Sequence, residues 1–258
     1  MHQNQVKIRK EETLVQHNGI FKKQLSLWQA VAFIVSATVG AGVLGIPYAV
    51  AQVGLLPGIL FIILLGLLMM GLNLFLGEVA TRTKLPLQLA GLTKKYLGKS
   101  AAVVMGAIFY LSICGSQLIY LIGEGESLAA LFGGDPLFWS LGFFVLSAMV
   151  VIIGAQTIKT VEMLLTIGIL AVVILISAVS VPHLSFEAIR YVNLLQLFVP
   201  YGVVLFAFHG VGAIPEAHNL LKDNNRDFKK AVIYSGLINI VLYSIFAFAV
   251  VGVTGLET

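Results

Sequence analysis

The stretch SATVGAGVLGIPYAV, Ser36 to Val50, lies inside a run from Gln24 to Gly77 that holds no Lys, Arg, Asp, Glu or His. Such a run has room for two crossings of a hydrocarbon core about 30 Å thick, each needing roughly 20 helical residues. Yet Gly40, Gly42, Gly45 and Pro47 stand at its centre. Glycine and proline weaken a helix interior, and at membrane depth an unwound backbone is tolerated only where it is buried in protein or lines a cavity. The stretch reads as a broken membrane helix.

The rest of the chain agrees on the class. It is 59% hydrophobic and 11% charged, with a mean hydropathy of +0.97, against a charged fraction of about 25% in soluble domains. Seven apolar runs lie near 25–53, 57–80, 100–126, 136–156, 160–182, 194–221 and 229–253. They are too long and too evenly apolar for barrel strands, which alternate over about 10 residues. The expectation is an all-α polytopic membrane protein, with residues 1–24 as an N-terminal tail. The polar length of that tail argues against a cleaved signal.

All but Arg190 of the 16 basic residues fall before span 1 or in the connections after spans 2, 4 and 6. The positive-inside rule makes that side cytoplasmic, and with it the N-terminus. The net charge of +4 is then a matter of topology and calls for no nucleic acid. The lone Cys114 rules out an internal disulfide. Between spans 2 and 3, Leu85, Leu89, Leu92 and Tyr96 share one helical face with lysines opposite, the pattern of an interfacial helix.

Span 6 carries a second interruption, FHGVGAIPEA, Phe208 to Ala217. GAGVLGIP (Gly40 to Pro47) and GVGAIP (Gly210 to Pro215) share G-x-G followed by Ile-Pro. The second copy lies five spans on from the first, an odd step, so one helix rises where the other descends. Paired interruptions in such an inverted repeat point to a transporter's central site; the alternative is that both are glycine notches for helix packing. The half-helix beginning near Val43 would offer N–H groups to a carboxylate. The one ending near Phe208 would offer free carbonyls of Phe206, Ala207 and Phe208 to an ammonium. Together they suit a zwitterion.

At these residues the chain resembles the amino acid/polyamine/organocation superfamily, most closely the amino acid/auxin permeases and the tryptophan/tyrosine permeases. The motifs SATVGAGVLGIPYAVAQVG and VLFAFHGVGAIPEAHNLL carry the likeness. It implies a leucine-transporter-type fold of two inverted five-helix repeats, 25–182 and a partial second repeat in 183–258. It also implies secondary active amino acid transport coupled to H⁺ or Na⁺, with no further cofactor and no metal centre. Substrate contacts carry over to Thr38, Gly40, Ala41, Gly42 and Val43, and to Phe206, Phe208, His209 and Gly210. Such proteins have ten or more helices, so this chain is expected to be truncated after seven.

Several polar residues invite a role. His209 stands at the second break, where an imidazole is a candidate to gate proton coupling, although a packing or backbone-capping role fits equally. Glu216 opens a half-helix, which suits capping better than proton carriage, and Lys159 is a further coupling candidate. On span 3, Tyr110, Cys114, Gln117, Leu121 and Glu124 lie on one face, Gln117 nearest mid-membrane, with Tyr120 as a possible aromatic gate. No HExxH, CxxC, P-loop or GxSxG pattern suggests an enzyme. No filter-like repeat suggests a channel; a transporter-derived sensor and an inactive permease fragment stay open. With no acidic side chain at either break, a neutral or aromatic amino acid is favoured over a basic one.

Overall fold

The computed structural model describes residues 26–40, 42–83, 85–153, 155–185, 191–221 and 225–255, with the side chains of 153–166 and 181 excepted. The tail 1–24, Ala41 and the Lys159 side chain therefore lie outside the described residues. The described residues form helices α1 (Leu27–Thr38), α2 (Gly42–Val53), α3 (Leu55–Thr83), α4 (Leu89–Phe132), α5 (Pro136–Ile153), α6 (Ala155–Ser180), α7 (Val199–Ala207), α8 (Ala213–Leu220) and α9 (Asn225–Thr254).

Span 1 is broken where the glycines stand. A capping box starts α1: the Ser26 hydroxyl accepts from the Gln29 N–H at 3.3 Å, and the Gln29 side chain accepts from the Ser26 N–H at 2.9 Å. The helix ends at Thr38, and α2 leaves at 63° to it. Span 6 is broken likewise, into α7 and α8 around Phe208–Gly212. Among the described residues α3, α4 and α9 are long and apolar enough to cross a membrane, and α1 with α2 makes a fourth crossing if counted as one. The chain is a multi-pass membrane protein.

The core is a bundle of α1, α2, α3, α7, α8 and α9. Ala30 and Ile34 of α1, Val43, Ile46 and Val50 of α2, Ile62 of α3, Val204 of α7, Ile214 of α8 and Tyr243 of α9 are all buried in it. Helix α6 joins through Val173 and Ser177. Helices α4 and α5 pair mainly with each other, Ser140 donating to the Leu121 carbonyl at 2.9 Å. The central window of α4 buries nothing inside the chain, so its apolar surface is left for lipid or for other protein.

Contacts also fix the relative directions of α1, α3 and α9. Trp28 of α1 stacks on Tyr234 of α9, and Gly77 of α3 packs on Phe228. One end of the bundle thus gathers the start of α1, the end of α3 and the start of α9. Arg82, Lys95, Lys229 and Lys230 belong to that end. At the other end Asn193 donates its N–H to the Val53 carbonyl at 2.9 Å, and Ser185 donates to Gly252 at 2.7 Å. Gly54, at φ +101°, turns α2 into α3 there, its α-carbon facing the Tyr191 carbonyl where no side chain would fit.

The segment expected to lie at the interface is helical and forms the first part of α4. It is set off from the membrane-length part by Gly98, whose φ of 90° and ψ of 178° belong to glycine alone. Leu92 and Thr93 are buried, the Tyr96 hydroxyl meets the Thr83 hydroxyl at 2.8 Å, and Lys95 donates to the Thr83 carbonyl at 3.3 Å. Leu85 and Leu97 are left exposed.

Candidate site at the paired breaks

The two breaks touch. A Cβ added at Gly210 would strike the Thr38 hydroxyl, and one added at Gly42 would sit 2.7 Å from the Ala207 Cα. Further along, Gly45 faces Val203 and Gly54 faces Tyr191. Position advances from 38 to 54 on one strand of contact while it falls from 210 to 191 on the other, so the two broken spans run antiparallel in continuous register. Glycine is needed at Gly42 because two backbones approach more closely than any side chain permits.

What Gly42 meets is therefore the backbone of the other broken helix, the contact that the packing alternative requires. The expectation of free carbonyls at the second break needs correction. Phe206 O accepts from the His209 N–H at 3.0 Å, Phe208 O accepts from Gly210 at 2.9 Å, and Ala207 O accepts from the Tyr243 hydroxyl at 2.9 Å. Phe206 O is also approached by the Phe208 N–H, while the Ala207 and Phe208 carbonyls each keep one lone pair for a further donor. At the first break the Val43 N–H already donates to Gly40 O at 3.0 Å. Buried backbone groups are paired almost without exception, and here the turn itself pairs them.

Beside the breaks lies a cavity of about 220 Å³, bounded by Ala37 of α1, by Phe109, Ser112, Ser116 and Gln117 of α4, and by His209 and Gly210. Gln117 and His209 are exposed and share this space. Of the face expected on span 3, Gln117 alone lines it. The face that meets the break is set one position back, through Phe109, Ser112 and Ser116, because helix packing, and not the count of polar atoms, sets the rotation. Tyr120 extends the same face, and its hydroxyl lies against Gly40.

The other expected residues are spread around this centre. Thr38 is buried, its hydroxyl donating back to Ile34 O at 2.7 Å. Val43 and Phe208 are buried and Phe206 half-buried. Glu216 is half-buried in the first turn of α8, where the helix dipole favours a carboxylate. Lys159 falls in α6 with its side chain outside the described residues. Tyr243 was missed by sequence reasoning. Fully buried, it donates to Ala207 O, lies 3.5 Å from Thr38 O, and sets its ring edge-on to Phe208 at 5.0 Å.

Residues 23–258 match the pattern of the family described as the Tryptophan/tyrosine permease family. Similar curated proteins include Glutamine transporter 2 of Aliivibrio fischeri, 24% identical over 86% of this chain and 60% of that protein. Amino acid transporter AVT3C of Arabidopsis thaliana is 26% identical over 88% of this chain and 59% of that protein. Vacuolar amino acid transporter 7 of Saccharomyces cerevisiae is 27% identical over 90% and 49% respectively. The chain thus spans about half to three-fifths of the length of these relatives. No solved structure matches the chain significantly.

Proposed function

The chain belongs to the tryptophan/tyrosine permease family, and from that premise we propose that it carries the substrate site of a secondary active amino acid transporter of the cell membrane. The observation that carries this reading is the contact of two broken helices, in antiparallel register, beside a cavity shared by Gln117 and His209. The names of the relatives, each a glutamine or amino acid transporter, support the substrate class. The antiparallel register suits two inverted repeats of the leucine-transporter type, the second represented by α7, α8 and α9.

At about 220 Å³ the cavity falls below the roughly 300–1,000 Å³ of sites for drug-sized ligands, a size suited to one amino acid. Ser112, Ser116 and Gln117 offer neutral hydrogen-bonding groups, His209 an imidazole, and Phe109 and Ile113 an apolar wall. A buried cationic side chain would want a carboxylate partner, so the preferred substrate is neutral or aromatic. The coupling ion is H⁺ or Na⁺, with His209 the foremost proton candidate and Glu216 and Lys159 behind it. The gathering of basic residues at one end of the bundle supports a cytoplasmic N-terminus.

Reconstitution into proteoliposomes tests this. With a pH or sodium gradient imposed, labelled tryptophan, glutamine and alanine are expected to accumulate and arginine is not. Accumulation of arginine alone would overturn the substrate class, and no uptake with no ligand-induced thermal stabilisation would overturn the transport reading. Gln117→Ala, which removes one neutral hydrogen bond worth about 0.5–1.5 kcal/mol, is expected to weaken substrate binding roughly two- to tenfold.

A further inference from the structure

Tyr243 lies in the middle of α9, in a run otherwise suited to plain packing, yet its hydroxyl reaches the carbonyl ends of two other helices. Ala207 O, 2.9 Å away, belongs to the last turn of α7; Thr38 O, 3.5 Å away, belongs to the last residue of α1. The final carbonyls of a helix have no partner within it and carry the negative end of its dipole. In water such groups would be solvated, but Tyr243, Ala207 and Thr38 are all buried. A buried tyrosine hydroxyl finds a partner as a rule, and here its candidates are both broken spans at once.

We propose that Tyr243 is a positioning residue of the transport cycle, a hydroxyl that holds the carbonyl ends of the two half-helices against each other. It has a single proton to donate, so at any moment it bonds one break well and the other weakly. The unequal distances describe the state seen here, with the proton on the α7 side. A small slide of α1 against α7 would shorten the longer contact and lengthen the shorter, switching the hydrogen bond that the Tyr243 hydroxyl donates from Ala207 O to Thr38 O without leaving either buried carbonyl far from the donor. The T-shaped contact with Phe208 keeps the ring in place during the exchange. This role rests on the transport reading for its purpose, while the clamp itself does not.

Tyr243→Phe keeps the ring and its contact with Phe208 and removes only the hydroxyl. Hydrogen–deuterium exchange, followed by mass spectrometry on the membrane-reconstituted chain, is expected to quicken at least fivefold in segments 36–44 and 206–212 together, with α9 itself unchanged. Residues merely packed beside Tyr243 would not move two segments so far apart in sequence. Where the wild type transports, the maximal rate of Tyr243→Phe is expected to fall about tenfold with the substrate KM changed less than threefold. Unaltered exchange at either break overturns the clamp, whatever happens to uptake. Quickened exchange at both with no wild-type uptake supports the clamp and removes the transport reading. If Tyr243→Phe does not accumulate, 3-fluorotyrosine at position 243, a stronger donor of the same shape, is expected to slow exchange at both breaks, and no slowing overturns the proposal.

Discussion

Gly40 and Gly42 stand two residues apart in one break, yet a methyl group added at each meets different company. At Gly40 it meets the hydroxyl of Tyr120, the far end of a side chain that can swing aside. At Gly42 it meets the Cα and N of Ala207, 2.7 and 3.0 Å away, which move only if α7 moves. Overpacking that must shift backbone costs about 1–3 kcal/mol, or roughly 2–4 °C of melting temperature per kcal/mol for a chain of this size. Gly42→Ala is therefore expected to lower the detergent melting temperature several degrees further than Gly40→Ala does. Adding Tyr120→Phe should restore Gly40→Ala and leave Gly42→Ala as it is. Equal losses at both positions would contradict the unequal packing. The same logic predicts that Thr38→Ala partly rescues Gly210→Ala, whose Cβ would strike the Thr38 hydroxyl; a double-mutant cycle with no coupling would refute the contact.

Among the elements, α4 shows a glycine acting through conformation alone. Nothing lies within 4 Å of a Cβ placed at Gly98, so its replacement meets no neighbour. The cost comes from a φ of 90° and ψ of 178°, a region that non-glycine residues enter at about 1–3 kcal/mol. Gly98→Ala should favour a straight helix and pull Tyr96 away from Thr83, raising the exposure of Lys95 to amine-reactive labels. Unchanged labelling would show that the bend survives without glycine. Both interruptions of the membrane spans were legible in the sequence, since glycine and proline at membrane depth admit few other readings. The short helix at the start of α4 was legible too, from Leu89, Leu92 and Tyr96 on one face. The rotation of α4 was not, because the polar residues Tyr110 and Cys114 are exposed while Ser112 and Ser116, which satisfy their environment by small size, face the cavity. Tyr243 left no local mark either: its partners are backbone carbonyls of two remote segments, and main-chain atoms carry no sequence.

For the whole molecule, contacts between helix ends set α1, α3 and α9 side by side in alternating direction, and among the described residues Arg82, Lys95, Lys229 and Lys230 collect at one end. In a Cys114→Ser background, Glu126→Cys is expected to react with an impermeant thiol reagent added outside intact cells, and Lys94→Cys to react only after the membrane is opened. The reverse pattern would invert the orientation while leaving the bundle intact. The mutual contact of the breaks also has a consequence in time. Thr38 and Gly210 are separated by about 170 residues, so at a synthesis rate of about 5–20 residues per second the first break exists for roughly 10–30 s before the second emerges. Throughout that interval Gly42 has no Ala207 to rest on and Thr38 O has no Tyr243 hydroxyl. The nascent span must either stay unbroken, as a continuous helix that closes its own hydrogen bonds, or wait where water can reach it. On the first course the interruption at Gly40 to Gly42 opens late, when α7 arrives to seat Ala207 on Gly42 and α9 brings the Tyr243 hydroxyl to Thr38 O.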